Sequence, residues 1–221
     1  MVRHDLVFLQ PDAAFRFACG AADPALAAAV REWIEAGRPL VAARQPAGGS
    51  EVVLGLALPL AKARRRVACL VDRGAIARVA PPLAPLRCLS RLPADQAEIL
   101  AGLEKSLAAV GVRVGVYGSL AWEALSGEPY RNGDSDIDLV CDVHTLAQYQ
   151  TTIEFLEAAA ARLSCRLDGE VRFPDGNAVA WRELLAHPEG IGAVLAKGPA
   201  EVRLMPVAAL LDSLVPELRY A

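Results

Sequence analysis

The sequence has no apolar run approaching the roughly 20 residues that a membrane-spanning helix requires. This holds although 54% of its 221 residues are hydrophobic, a share that owes much to alanine. It also lacks the pattern of a signal peptide, since MVRHDLVFLQ passes directly into charge and a short strand-like run. A soluble, cytoplasmic protein is expected. Cysteine is sparse: Cys19, Cys69, Cys88, Cys141 and Cys165 are odd in number and show no CxxC spacing. Neither a disulfide framework nor a zinc site is indicated, and the five read as small buried apolar residues. Basic excess is absent too. The formal net charge of −3 argues against a general nucleic-acid binder. There is no repeat or low-complexity segment. His144 and His187 have no second ligand or base partner at a telling distance and read as structural, while His4 sits beside Asp5 in the opening strand.

What is present centres on residues 112 to 141, VRVGVYGSLAWEALSGEPYRNGDSDIDLVC. Val112, Val114 and Val116 form a β-branched run ending in Gly118-Ser119. A short helical segment with Trp122 and Leu125 follows, then a polar turn, then a strand in which Asp136 and Asp138 alternate with Ile137 and Leu139. Side chains on a strand alternate between faces, so the two acids share one face and the two apolar residues the other. Neighbouring carboxylates repel unless a cation sits between them. Hard divalent ions such as Mg²⁺ bind through one or two carboxylates together with substrate phosphates. Gly118 allows close backbone approach, and the N–H groups opening the next helix, with the Ser119 hydroxyl, can hold a phosphate oxygen. The combination describes a phosphoryl- or nucleotidyl-transfer site.

The rest of the chain reads as support. Strands are expected at residues 3–9, in RPLVAARQ, in EVVLGLALPL and at 67–71, with a loop from Ala47 to Ser50. A helix runs from an Asp23 N-cap and Pro24 at N1, through Leu26, Val30, Trp33 and Ile34, to Gly37. The basic run Lys62, Arg64, Arg65, Arg66 is either a solvated face or a landing patch for an acidic protein or phosphate-rich ligand. Pro81, Pro82, Pro85 and Pro93 suit neither a helix nor a central strand. The expected division is an N-terminal recognition domain at 1–88 and a catalytic domain at 89–221. In the latter, Leu100, Leu103, Leu107 and Val110 mark a helix ended by Gly111. Thr145 caps a second helix that buries Leu146, Tyr149, Ile153, Leu156, Ala160 and Leu163. The strand CRLDGEVRF turns at Asp175-Gly176-Asn177. A strand-to-helix passage at Trp181-Arg182-Glu183, a strand near 202–204 and a helix after Pro206 close the chain. The fold class is α+β: a small mixed N-terminal domain plus a domain with a mixed sheet flanked by helices.

Gly118-Ser119 followed by Asp136-Ile137-Asp138-Leu139 resembles the signature of the DNA polymerase β-like nucleotidyltransferase superfamily. That resemblance implies a third carboxylate on a later strand, for which Asp168 and Glu170 are the candidates. Asp168 is favoured because Gly169 beside it lets the backbone pack closely. The wider chain is similar to one branch, the phosphoribosyl-dephospho-CoA transferases (holo-acyl-carrier-protein synthases) of malonate decarboxylase. The likeness lies in RHDLVFL, GRPLVAARQ, LGLALPL with its arginine run, VYGSLAWEALSGEPY with SDIDLV, and LDGEVRFPDGNAVAWREL.

The resemblance implies transfer of 2′-(5″-triphosphoribosyl)-3′-dephospho-CoA to a serine of the acyl-carrier subunit, with release of pyrophosphate. Asp136, Asp138 and Asp168 would hold Mg²⁺ or Mn²⁺. Gly118 and Ser119 would grip phosphates, and Arg182 and Lys197 would neutralise the leaving group. No nucleic-acid or membrane partner is implied. The rival readings are a generic nucleotidyltransferase using a plain nucleoside triphosphate, and a non-catalytic nucleotide-binding adaptor.

Overall fold

The computed structural model describes residues 1–20, 24–45, 48 and 50–215. Asp23 and Ala47, named above as a helix cap and a loop boundary, lie outside the described residues. The chain forms two compact units: residues 1–82 with Leu125–Tyr130, and residues 83–124 with 131–221. No helix among the described residues is long and apolar enough to cross a membrane.

The first unit contains β1 (Leu6–Leu9), β2 (Phe15–Phe17), α1 (Pro24–Glu35), β3 (Leu40–Ala42), β4 (Glu51–Ala57), β5 (Arg66–Asp72) and β6 (Ile76–Ala80). Its six strands form one antiparallel sheet in the order β2-β5-β4-β3-β1-β6. Period-two alternation drives it: Val52, Leu54 and Leu56 are buried along β4 while their neighbours are half-exposed. α1 buries Leu26, Val30, Trp33 and Ile34, as its apolar stripe requires, and Trp33 Nε1 donates to the Pro39 carbonyl at 2.9 Å. The pattern did not announce β2 or β6. Both are short edge strands, and β6 lies just before the prolines, where a missing N–H costs no ladder bond.

The second unit contains α2 (Ala94–Ala109), β7 (Arg113–Tyr117), α3 (Gly118–Ser126), β8 (Ile137–Asp142), α4 (Leu146–Arg162), β9 (Leu167–Arg172), β10 (Ala178–Ala180), α5 (Trp181–Leu185), β11 (Ala193–Lys197), β12 (Val202–Pro206) and α6 (Val207–Leu211). Its sheet runs β12-β11-β10-β9-β8-β7 and is mixed, with β8 and β9 parallel and every other neighbouring pair antiparallel. Val114, Val116, Ile137, Leu139, Leu167 and Val171 point into one apolar core together with Leu100, Leu103 and Leu107 of α2 and Leu156 of α4. Thr145 caps α4 through a full capping box with Gln148. The β9–β10 hairpin closes at the expected turn, where the Gly176 N–H donates to the Phe173 carbonyl.

Three expectations need correction. Leu146 and Val110 are exposed rather than buried, since each lies at a helix end: Leu146 opens α4 and Val110 is the C-cap of α2. The inward stripe of α4 is instead Tyr149, Thr152, Leu156 and Ala159. Cys19 is exposed and Cys165 half-buried, whereas Cys69, Cys88 and Cys141 are buried as expected. β11 was not foreseen; it pairs with β12 along its whole length.

Candidate active site

The apolar alternation of β8 ends in acid. Ile137 and Leu139 face the core, so Asp138 must face the other side, where it is half-buried while Ile137 is fully buried. Strand pairing sets its neighbours. In the parallel register Asp138 lies opposite Asp168, and in the antiparallel register it lies opposite Tyr117, the residue before Gly118. Two glycines make these approaches possible. Gly118 has φ 70°, and a Cβ built there would lie 2.0 Å from Asp138 Oδ2, so the carboxylate rests directly against the glycine backbone. Gly169, at φ 146°, would place a Cβ 2.2 Å from the Leu139 carbonyl oxygen. Only glycine lets β9 come this close beside the acids.

Asp136 sits just before β8. Its Oδ2 lies 3.9 Å from Arg166 Nη1, and Nη2 of the same guanidinium lies 3.4 Å from Asp168 Oδ2. These are long pairs between part-exposed groups, of a kind typically worth about 0.2–1 kcal/mol each. Arg166 was missed in the sequence, although a signal existed: it stands two residues before Asp168, as Asp136 stands two before Asp138, and so falls on the same face. The Ser119 hydroxyl belongs to the first turn of α3, among N–H groups that an α-helix leaves unpaired internally.

Further along the same face the sheet is closed. Glu170 is 3% exposed and accepts from Lys197 Nζ at 2.8 Å. Lys197 is therefore tied to Glu170, and Glu170 is committed to Lys197, which leaves Asp168 as the candidate third carboxylate with the open position. Arg182 donates to the carbonyl of Leu167, the residue before Asp168, at 3.2 Å and stacks over Trp181. Beyond Glu170, Asp142 accepts from Arg172 at 2.6 Å and from Arg113 at 2.6 and 2.8 Å.

Among the described residues, no group of three His, Cys, Asp or Glu is arranged to hold a metal ion by itself. The donor set nonetheless fits a hard divalent cation. It is all oxygen, two of its acids are strand partners, and the guanidinium between Asp136 and Asp168 shows that this spot accepts positive charge. Mg²⁺ normally takes one or two protein carboxylates and draws the rest from water and phosphate.

Comparison with known proteins covers nearly the full length. Residues 2–82 match the family model for the phosphoribosyl-dephospho-CoA transferase MdcG N-terminal domain, and residues 82–208 match that for its C-terminal domain. The chain belongs to the phosphoribosyl-dephospho-CoA transferase family. It is 35% identical over 210 residues to the phosphoribosyl-dephospho-CoA transferase of Xanthomonas campestris pv. campestris, covering 94% of this chain and 95% of the relative. The protein of that name from Bradyrhizobium diazoefficiens is 34% identical over 184 residues, 82% of this chain and 81% of the relative. That from Pseudomonas aeruginosa is 32% identical over 168 residues, 75% and 76%. No solved structure gives a significant match. In this member of the family, Gly118 lies against Asp138, whose partner across the β8–β9 register is Asp168.

Proposed function

We propose that the chain is a nucleotidyltransferase of the DNA polymerase β-like type. It attaches 2′-(5″-triphosphoribosyl)-3′-dephospho-CoA to a serine of the acyl-carrier subunit of malonate decarboxylase, in the cytoplasm, with release of pyrophosphate. The observation that carries this reading is the seating of Asp138 on Gly118 opposite Asp168 in a chain of this family. Mg²⁺, or Mn²⁺, held by Asp136, Asp138 and Asp168 would neutralise charge on the triphosphate oxygens.

The serine Oγ forms a bond to the α-phosphorus while the bond to the β-phosphate oxygen breaks, and that oxygen leaves with the pyrophosphate. Asp168, on the open side of the site, takes the serine proton. Its Oδ1 accepts from the Gly169 N–H at 2.9 Å, which limits the orientations the carboxylate can take. Ser119 and the first-turn N–H groups of α3 hold the outgoing phosphates. Arg182, exposed beside Leu167, is the cation better placed to meet the leaving group, because Lys197 serves the buried Glu170. Positioning and charge neutralisation suffice for such a transfer, so no catalytic histidine or cysteine is needed.

The test is to incubate the protein separately with triphosphoribosyl-dephospho-CoA, ATP and CTP, with and without the carrier protein, and to follow pyrophosphate release. Release is expected only with the triphosphoribosyl donor and carrier together. Turnover of ATP or CTP without the carrier would overturn the proposal. Asp138→Asn should lower the rate by more than about 100-fold, since changes one shell removed from a metal already cost about 10–100-fold.

A further inference from the structure

Arg166 occupies a place that the register dictates. Ile137 N–H donates to the Arg166 carbonyl at 3.0 Å, which continues the β8–β9 ladder one step before Asp138 and Asp168. The open end of the sheet therefore carries a two-by-two array, with Asp136 and Asp138 at the start of β8 and Arg166 and Asp168 at the start of β9. The backbone of Arg166 is fixed by that hydrogen bond, while its side chain is 59% exposed and holds the two acids only at 3.4 and 3.9 Å. A guanidinium so placed relieves the repulsion between the carboxylates, yet is held loosely enough to leave them.

We propose that Arg166 is a resident counter-cation for Asp136 and Asp168 that gives way to the divalent metal and then binds the triphosphate brought with it, making it a substrate-positioning residue for the reaction proposed above, on which reading this inference rests. A triphosphate carries more negative charge than one divalent ion neutralises. The displaced guanidinium stays within reach of it, and its planar fork suits phosphate oxygens. One side chain thus keeps the empty site electrostatically tolerable and completes the loaded one.

The measurement is Mn²⁺ binding to the full-length protein by electron paramagnetic resonance, alone and with inorganic triphosphate. Arg166→Ala is expected to bind Mn²⁺ alone about threefold to tenfold more tightly than the wild type, because a competing cation is gone. The same variant should bind triphosphate in the presence of Mn²⁺ about tenfold or more weakly, because a charge-assisted hydrogen bond is lost. Arg166→Gln should repeat both shifts, with far-ultraviolet circular dichroism confirming that each variant is folded. Arg166→Lys should recover part of the triphosphate affinity.

Unchanged or weaker Mn²⁺ binding by Arg166→Ala, or unchanged triphosphate affinity, in a protein whose wild type binds Mn²⁺ would overturn this inference alone. A wild type that binds no Mn²⁺ with or without triphosphate, or an Asp138→Asn variant that binds it equally well, would overturn the reaction reading and this inference together.

Discussion

Single residues set the tolerances of the site. Gly118 combines a left-handed backbone, at φ 70°, with contact against the Asp138 carboxylate. Gly118→Ala therefore both strains the turn and pushes that carboxylate away, and should lower turnover by about 100-fold or more, since misplacement of about 1 Å can cost that much. Thermal unfolding, followed beside turnover, should fall only modestly, by about 1–3 kcal/mol of strain. Gly169→Ala should behave in the opposite proportion. There the added methyl meets the Leu139 backbone and not a side chain, so the β8–β9 pairing must open, and stability should suffer before any specific loss of catalysis.

The cysteines give a simpler check at this scale. Burial pushes the thiols of Cys88 and Cys141 up to about 12 and that of Cys69 up to about 11. With a thiol-specific disulfide reagent at pH 8, exposed Cys19 should react first, Cys165 more slowly, and these three only on unfolding. Prompt labelling of all five in the native protein would contradict their placement.

At the scale of strands and helices, the sequence spoke clearly where one face is apolar and the other is not. β4, the core side of β8 and the stripe of α1 follow their periods, and the Asp136–Asp138 alternation alone places two acids on one face. It spoke poorly at the sheet edges, as for β2 and β6, and it also missed β11, which lies between β10 and β12. The partner of each acid was also hidden. Asp168 and Glu170 look alike in the sequence, and only strand register shows that Glu170 lies opposite Val140 and is held by Lys197, while Asp168 lies opposite Asp138.

The same register builds the row Arg113–Asp142–Arg172 across β7, β8 and β9. Burial alone would raise the Asp142 pKa, but hydrogen bonds and charge from Arg172, then Arg113, hold it below the ordinary carboxylate value. A depressed folded pKa means that this contribution to stability is fully present above the unfolded value of about 3.9 and is lost as the pH falls from there through the lower, folded value. Asp142→Asn should cost about 3 kcal/mol at pH 7, near the lower end for a broken buried pair because Arg113 is largely exposed whereas Arg172 is buried. Denaturant titrations at pH 7 and pH 3 should also show a smaller acid-induced loss in the variant than in the wild type. An equal acid loss in both would mean that Asp142 is not the group responsible.

For the molecule as a whole, the chain leaves the second unit between the two halves of the signature and returns to it. Gly118, Ser119 and the acids belong to the second unit, yet Leu125–Tyr130, which lies between them in sequence, is counted with the first. Within that first unit the segment is well anchored. The Pro129 carbonyl accepts from the Leu60 N–H at 3.0 Å, Arg38 reaches both Glu128 and the Ser126 carbonyl, and the Tyr130 hydroxyl donates to the Ala57 carbonyl at 3.0 Å. Spacing alone could not have revealed this, because Tyr130 and Ala57 are 73 residues apart.

Burial pushes the Tyr130 phenol up to about 12, so the group stays a neutral donor throughout the physiological range. Tyr130→Phe keeps the ring and removes only that donor. It should destabilise the first unit by about 1 kcal/mol, the usual net value of one such bond. Hydrogen exchange should register the loss as weaker protection of the β4 and β5 amides, with the α4 and β9 amides little changed. Equal loss of protection in both units would show instead that they unfold as a single cooperative body and that the tyrosine secures the entire chain.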